Sequence, residues 1–220
     1  MRELKQGVKA ILVNCLKASQ QLKEFDTEEL ISLAEKLSSS VSDLYDVLED
    51  INDNRSPRDS VIDIKLTNEK YCIDNNLCFN RREIIEFFAI VIDCYQEILP
   101  LGTVVDLKKE HFKDQLPTDR IKAIRLVITH RFLHNPEEEC YFPYAGVIYP
   151  IGSVGNDRII HFTSPFIEKV VQKGFTDEKD EAYILLMKHE LLCKRKLTSY
   201  SFASMDINQS SKVEYEQNSN

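Results

Sequence analysis

Apolar residues recur every three or four positions through the first 52 residues. This spacing places them on one face of an α-helix, because residues three and four apart are neighbours on a helix surface. One seam consists of Leu4, Val8, Ile11, Cys15, Ala18, Leu22 and Phe25, and a second consists of Leu30, Leu33, Leu37, Val41, Leu44, Leu48 and Ile51. Asp26 lies between the seams and can cap a helix start, with Glu29 at the third helical position. The pattern predicts an antiparallel helical hairpin over residues 1–52, because so short a link turns the chain back on itself.

Two helices alone cannot bury both seams together with the apolar residues that flank them. In one interpretation the hairpin packs on the remaining helices of the same chain. In the other it offers an apolar face, including Leu33 and Leu37, to a helix of a partner protein. The sequence leaves both interpretations open.

Residues 53–98 contain a polar linker, a small β-hairpin and a central helix. Alternating residues over 61–66 and an apolar return over 71–73 flank a turn at residues 67–70. Asn80, followed by Glu83 three residues later, is a capped helix start. The expected apolar face of that helix consists of Ile84, Phe87, Phe88, Val91, Ile92, Tyr95 and Ile98.

Residues 99–197 alternate between strand and helix patterns, and residues 198–220 do not. Strands are expected near 103–107, 121–132, 141–149 and 158–162, where β-branched and aromatic residues stand between Pro and Gly turns. We expect one helix from 166 to 173, with a stop at Gly174, and a last helix from 176 to 196. The tail over 198–220 is rich in Ser, Asn and Gln and is expected to be disordered. The predicted fold class is α+β, with the N-terminal helical hairpin joined to a mostly antiparallel β-sheet flanked by helices.

The charge of the chain limits its partners. Its formal net charge is −8. A negative balance argues against binding to nucleic acid, which needs clustered Lys and Arg, and against attraction to an anionic membrane surface. The sequence has no run of about 20 apolar residues that could span a bilayer and no apolar leader after Met1. We therefore expect a cytoplasmic protein.

Side chains that could perform chemistry are scattered. His130 and His134 are four apart, but on a strand this gap separates them by about 13 Å, too far for shared metal ligation. Ser153 lies in Gly152-Ser153-Val154-Gly155, which lacks the GxSxG spacing of a nucleophile elbow. Cys72 and Cys78 are expected to stay reduced in a cytoplasmic protein. We predict no catalytic, cofactor or metal residues and a protein that is not an enzyme.

One cluster is unusually aromatic for its length. Tyr141, Phe142, Tyr144 and Tyr149 accompany two prolines over nine residues. Strand alternation would bury one side and leave the other as an exposed aromatic patch, which is typical of binding surfaces. These four residues, together with Leu33 and Leu37, are the candidate partner-binding residues.

Two phrases between residues 99 and 152 carry a family resemblance. Residues 99–107 read LPLGTVVDL, and residues 144–152 read YAGVIYPIG. They resemble the LPLGSVV-like opening and YxGxxYPxG-like middle of a domain of unknown function from Gram-positive bacteria. The resemblance covers roughly residues 98–192 and leaves the N-terminal hairpin unexplained.

The resemblance implies a function, because genes of that family often lie beside LXG toxins of the type VII secretion system. It implies a cytoplasmic chaperone or targeting factor that binds a secreted LXG toxin, with small helical secretion factors as further partners. An immunity protein that neutralises a cognate toxin is the alternative, and an enzyme is a more remote one. No catalytic residue can be carried over, because the family has no site motif that maps onto this sequence.

Overall fold

The computed structural model describes residues 2–53, 55, 57, 62–74, 76–109, 123–135, 137, 140–153 and 159–199. These residues fall into two compact units. Unit 1 takes in Met1–Gln96 and Leu185–Lys196, and unit 2 takes in Glu97–Ile184 and Leu197–Asn220, so far as those ranges are described. Helices and antiparallel strands are both present, which confirms the α+β class.

The N-terminal part of unit 1 contains three helices, so the predicted two-helix hairpin is wrong. They are α1 (Arg2–Ala18), α2 (Thr27–Leu37) and α3 (Val41–Asn52). The second seam is interrupted after Leu37, where the hydroxyl of Ser38 donates to the carbonyl of Glu35 at 2.7 Å. Serine side chains compete for backbone partners in this way, which favours a helix end over another helical turn.

Two helix starts are formed by the capping residues that the sequence indicates. The Asp26 carboxylate accepts the backbone N–H groups of Glu28 and Glu29 at 2.9 and 3.0 Å at the start of α2. Helix α4 (Arg81–Tyr95) begins with a capping box, in which Asn80 accepts from the first turn and Glu83 accepts the Asn80 N–H at 2.6 Å. These bonds satisfy donors that a helix cannot pair internally. Both predicted caps are confirmed.

Most of the seam residues whose side chains are described lie in the interior of unit 1, whereas Ala18 is exposed. Leu33 and Leu37 are buried, as are Leu22 of the first seam and Leu48 of the second. Aromatic rings extend this core, since Phe79 stacks on Phe25 and on Phe87, with centroid distances of 4.6 and 5.4 Å. The seams therefore pack within the chain.

A small antiparallel sheet completes unit 1. Its strands are β1 (Ile64–Thr67), β2 (Lys70–Ile73) and β3 (Leu77–Phe79) in the order β1-β2-β3, and the last was not predicted. Cys72 and Cys78 face each other across β2 and β3 and form a disulfide. The expectation that these cysteines stay reduced is wrong, because strand pairing makes them direct neighbours.

The larger sheet belongs to unit 2 and is antiparallel along its main path. Its strands are β4 (Val104–Leu107), β5 (Ile124–Asn135), β6 (Cys140–Ile148), β7 (Ile160–Phe162) and β8 (Ile167–Gln172), in the order β7-β6-β5-β4-β8. One face of the sheet carries buried aliphatic side chains, and these core residues are Val105, Leu107, Ile124, Leu126 and Ile128.

The predicted helix over 166–173 is wrong. A single 3₁₀ turn, Ser164–Phe166, leads into β8, which pairs antiparallel with β4. Val170 and Val171 are β-branched and favour a strand, and the edge of β4 supplies the backbone partners that a helix would otherwise provide internally.

The chain continues into the last helical segment. Helix α5 (Glu178–Lys188) runs into a π-helical stretch, His189–Lys194. Strand β9 (Thr198–Ser199) then pairs parallel with β6. The rest of the predicted disordered tail, residues 200–220, lies outside the described residues. None of the helices in the described part of the chain is both long and apolar enough to cross a lipid bilayer.

Candidate interaction surface

Three of the four candidate aromatic residues are interior. Tyr141, Phe142 and Tyr144 are all buried, and only 1% of Tyr144 is exposed. Strand β6 is paired along both edges, and its residues 140–146 are buried whichever face they lie on, so strand alternation leaves no exposed aromatic side there. The expectation of an exposed patch at these three positions is therefore wrong. Tyr149 is different, because 53% of it is exposed.

Tyr144 connects the two motif segments within unit 2. Its hydroxyl accepts the backbone N–H of Leu99 at 3.1 Å and donates to the carbonyl of Glu97 at 3.3 Å. Its ring stacks on Phe162 with a centroid distance of 5.4 Å. Burial raises the pKa of Tyr144, which keeps the hydroxyl protonated and able to donate. This residue holds the start of the first motif segment against β6.

Leu33 and Leu37, the other two candidates, lie on α2. Both side chains are buried within unit 1. Burial there matches the interpretation in which the seams pack on the chain's own elements. Neither side chain is available to a partner in this conformation.

The side of the large sheet opposite its aliphatic core is half-exposed. Val104 lies directly opposite Val127, and Val127 lies directly opposite Val147. Directly opposed residues of antiparallel strands share a face, so the three valines form a row across β4, β5 and β6. All three are half-buried. This row is an apolar strip that the described residues leave partly open to solvent.

A charged pair lies on the same face, beside the valine row. Arg125 and Asp106 are directly opposed, and the guanidinium donates two hydrogen bonds to the carboxylate, at 2.7 and 2.9 Å. This bidentate geometry fixes both side chains. The hydrogen bond from Arg125 holds the pKa of Asp106 below its usual range. Lys169 of β8 lies opposite Asp106 and extends the charged row.

Tyr149 adds an exposed aromatic ring at the end of this face. Its backbone N–H donates to the carbonyl of Arg125 at 2.9 Å, which holds the residue beside the charged row. The turn that follows closes through a bond from the Gly152 N–H to the Ile148 carbonyl at 2.7 Å, with Gly152 at φ +66°. A positive φ is strained for residues with a side chain and favours glycine.

We define the motif face as Val104, Asp106, Arg125, Val127, Val147 and Tyr149. Two of these residues come from the first motif phrase and two from the second, and β5 supplies the two between them. The sequence indicates the phrases but not the face, because the order of the strands is not encoded locally. Of the six, only Tyr149 was named as a candidate.

Thr103 of the first motif phrase and Gly174 are held together by a close contact. The Thr103 hydroxyl donates to the carbonyl of Pro100 at 2.7 Å and accepts the N–H of Gly174 at 3.0 Å. A Cβ on Gly174 would collide with the backbone of Leu101, so only glycine allows this approach. Leu101 and Phe175, which flank this contact in the sequence, are both exposed.

A second ion pair in unit 2 was not identified from the sequence. The Arg131 side chain on β5 is only 4% exposed, and its Nη2 lies 2.5 Å from Oδ1 of Asp180 on α5. Its guanidinium also lies 5.6 Å from the ring centroid of Tyr183, a cation–π distance. The partners are 49 positions apart, so no spacing rule could have paired them.

The histidines considered as metal ligands lie on β5. His130 contacts the Thr129 hydroxyl through Nδ1 at 2.9 Å, and His134 is exposed. Cys140 is buried on β6. Within the described ranges, no group of three or more His, Cys, Asp or Glu side chains has a metal-binding arrangement.

Residues 98–183 match a family model described as a domain of unknown function, DUF4176. The match takes in both motif phrases and every residue of the motif face. The expected resemblance to a family of unknown function is confirmed over these residues. No curated protein and no solved structure matches the chain.

Proposed function

We propose that this protein acts by binding another protein, as a chaperone or targeting factor for a secreted LXG toxin of a type VII secretion system, and that it carries out no catalysis. The observation that supports a binding role is the motif face. Two separate motif phrases meet there across β5 and leave a partly open strip of valines beside a fixed ion pair.

The composition of the motif face suits a protein partner. Tyr and Arg carry a large share of the binding energy at protein interfaces, and Tyr149 and Arg125 lie together here. The valine strip supplies apolar area, while Asp106 pre-orders the guanidinium and so lowers the entropy lost on binding. A partner strand or helix with apolar residues and an acceptor for Arg125 would complement this face.

The choice of an LXG toxin follows from the family resemblance of the motif phrases. The net charge of −8 fits a partner with a basic surface. It also suits the alternative in which the chain blocks the basic active site of a toxin as an immunity protein. The two roles differ in which toxin domain is bound.

Calorimetry with a co-encoded LXG toxin tests the proposal. The full toxin, its N-terminal export region and its C-terminal toxic domain are titrated separately into the purified chain. A chaperone or targeting factor binds the full toxin and the export region. Binding to the toxic domain alone, with loss of toxicity, identifies an immunity protein instead.

Tyr149→Ala is the informative variant, and Leu66→Ala is its matched control. Both side chains are partly exposed, but Leu66 lies on β1 in unit 1 and is not a residue of the motif face. Truncating a central interface aromatic costs about 2 kcal/mol, which corresponds to a loss of affinity of about 30-fold. The control should bind like the wild type. If the wild type binds no part of the toxin, the proposed function is wrong; if Tyr149→Ala binds normally, the motif face is not the interface.

A further inference from the structure

Three thiols from distant parts of the sequence lie together in unit 1. Cys15 is on α1, Cys94 is on α4 and Cys193 is on the π-helical stretch. The Sγ atoms of Cys15 and Cys193 are 3.7 Å apart, although 178 positions separate the two residues. Cys94 lies close enough to Cys15 to interact with its thiol.

The three thiols differ in their access to solvent. Cys94 is 1% exposed and Cys15 is buried, whereas Cys193 is partly exposed. A small oxidant can therefore reach Cys193 first. Cys15 is the thiol that Cys193 touches, and Cys94 lies deeper.

We propose that Cys15 and Cys193 form a reversible disulfide that ties the C-terminal π-helical stretch to α1, with Cys193 as the entry thiol and Cys15 as the resolving thiol. The sulfurs need to approach by about 1.6 Å to reach the bond length of a disulfide, a shift within reach of side-chain rotation. π-Helical turns are frequent at functional sites, and Cys193 lies on one.

The oxidant is a small disulfide such as oxidised glutathione. The Cys193 thiolate attacks one sulfur of the oxidant, forms a mixed disulfide and releases one glutathione, which takes up a proton. The Cys15 thiolate then attacks the Cys193 sulfur and releases the second glutathione in the same way. Two protein thiols lose two electrons in total, and the oxidant is reduced to two thiols.

Slow formation at neutral pH is expected. Burial raises the pKa of the Cys193 thiol to about 12, and the neighbouring Cys94 together with burial raises that of Cys15 as well. Only thiolates attack disulfides, so the reactive fraction of each thiol is small. The pair responds to a sustained oxidising environment and not to a brief pulse of oxidant.

The disulfide would restrain the chain because it closes a very long loop. Constraining the unfolded chain over such a span stabilises the fold, and the thermal midpoint should rise by about 5–10 °C on oxidation. The same treatment of Cys193→Ala measures what the Cys72–Cys78 disulfide contributes by itself.

Peptide mapping of the folded full-length chain after incubation with oxidised glutathione tests the proposal. We expect a Cys15–Cys193 cross-link in the wild type and in Cys94→Ala. In Cys15→Ala, the resolving thiol is absent and one glutathione should remain attached at Cys193.

Two results would overturn the proposal. One is a wild-type map in which Cys15 is joined to Cys94, or in which Cys15 and Cys193 remain reduced after prolonged oxidation while the fold persists by circular dichroism. The other is a Cys15→Ala protein that acquires no glutathione at Cys193, since that would exclude Cys193 as the entry thiol.

Discussion

Lys188 is a buried cation whose effect on stability should depend on pH. Only 4% of the residue is exposed, and its Nζ donates to the carbonyls of Cys94 and Gln96 at 2.8 and 2.7 Å. These carbonyls lie at the C-terminal end of α4, where backbone acceptors lack helical partners and the helix dipole favours positive charge. Burial nevertheless outweighs these contacts and lowers the pKa of Lys188 from 10.5 to about 8.

The direction of the pH effect follows from this lowered pKa. Between pH 8 and 10.5 the unfolded chain holds the Lys188 proton more tightly than the folded chain does. Raising the pH through this window therefore favours the folded state. Across the whole window the free energy of unfolding should increase by about 3 kcal/mol. Between pH 7.5 and 9.5 the increase should be about 2 kcal/mol.

Urea unfolding of the wild type and Lys188→Met at pH 7.5 and 9.5 measures this gain. Tyrosines and other groups also titrate near the upper pH, but they are present in both proteins and cancel in the difference. We expect the free energy of unfolding of the wild type, relative to Lys188→Met, to increase by about 2 kcal/mol between the two pH values.

Lys179→Met is the matched control, because Lys179 is an exposed lysine on the same helix. It reports the effect of losing a lysine from the surface of α5. A wild-type minus Lys188→Met difference that stays constant between the two pH values would refute the argument. Such a result would mean that the Lys188 ammonium is hydrated in the folded protein.

Three further predictions concern residues that stabilise one unit or the other from within. Leu33→Asp places a charge in the buried seam of unit 1 and should lower the free energy of unfolding by about 3 kcal/mol or more. Thermal unfolding measures this as a lower midpoint temperature. An unchanged midpoint would mean that the seam faces solvent. Tyr144→Phe removes both hydrogen bonds between the tyrosine hydroxyl and the segment before β4. Urea denaturation should show a free energy of unfolding lower by about 1–2 kcal/mol. A loss below 0.5 kcal/mol, on the order of experimental error, would show that these bonds contribute little. Asp106 has a lowered pKa, so its contribution to the stability of the fold is present above its unfolded-state pKa of about 4 and is lost as the pH falls through its folded-state pKa. Asp106→Asn should therefore be less sensitive to acid than the wild type in denaturation followed by circular dichroism. Equal acid sensitivity of the two proteins would contradict the ion pair with Arg125.

The sequence by itself determined those features that depend on residues a few positions apart in the chain. The caps at Asp26 and Asn80 were predictable because the capping side chain and the N–H groups it accepts lie within three positions. The turn between β1 and β2 was predictable for the same reason. The positions of β4 to β7 were predictable because runs rich in β-branched residues between Pro and Gly turns are typical of strands.

The β8 segment shows where local reasoning failed. Ile167, Val170 and Val171 have helical spacing, which by itself predicts a helix. The segment forms a strand because the edge of β4 supplies its backbone with hydrogen-bond partners that are distant in sequence. Whether such an edge exists cannot be read from the segment itself.

The candidate surface was decided by tertiary structure for the same physical reason. The sequence indicated both motif phrases and Tyr149. It also placed Tyr144 on an expected binding surface, whereas Tyr144 is buried in the structure, on a strand between β5 and β7. Arg125 and Asp106, like Arg131 and Asp180, become partners only when strand order and helix position bring them together. Local periodicity sets which face of an element is apolar, whereas the identity of the residue opposite each position depends on contacts between distant parts of the chain.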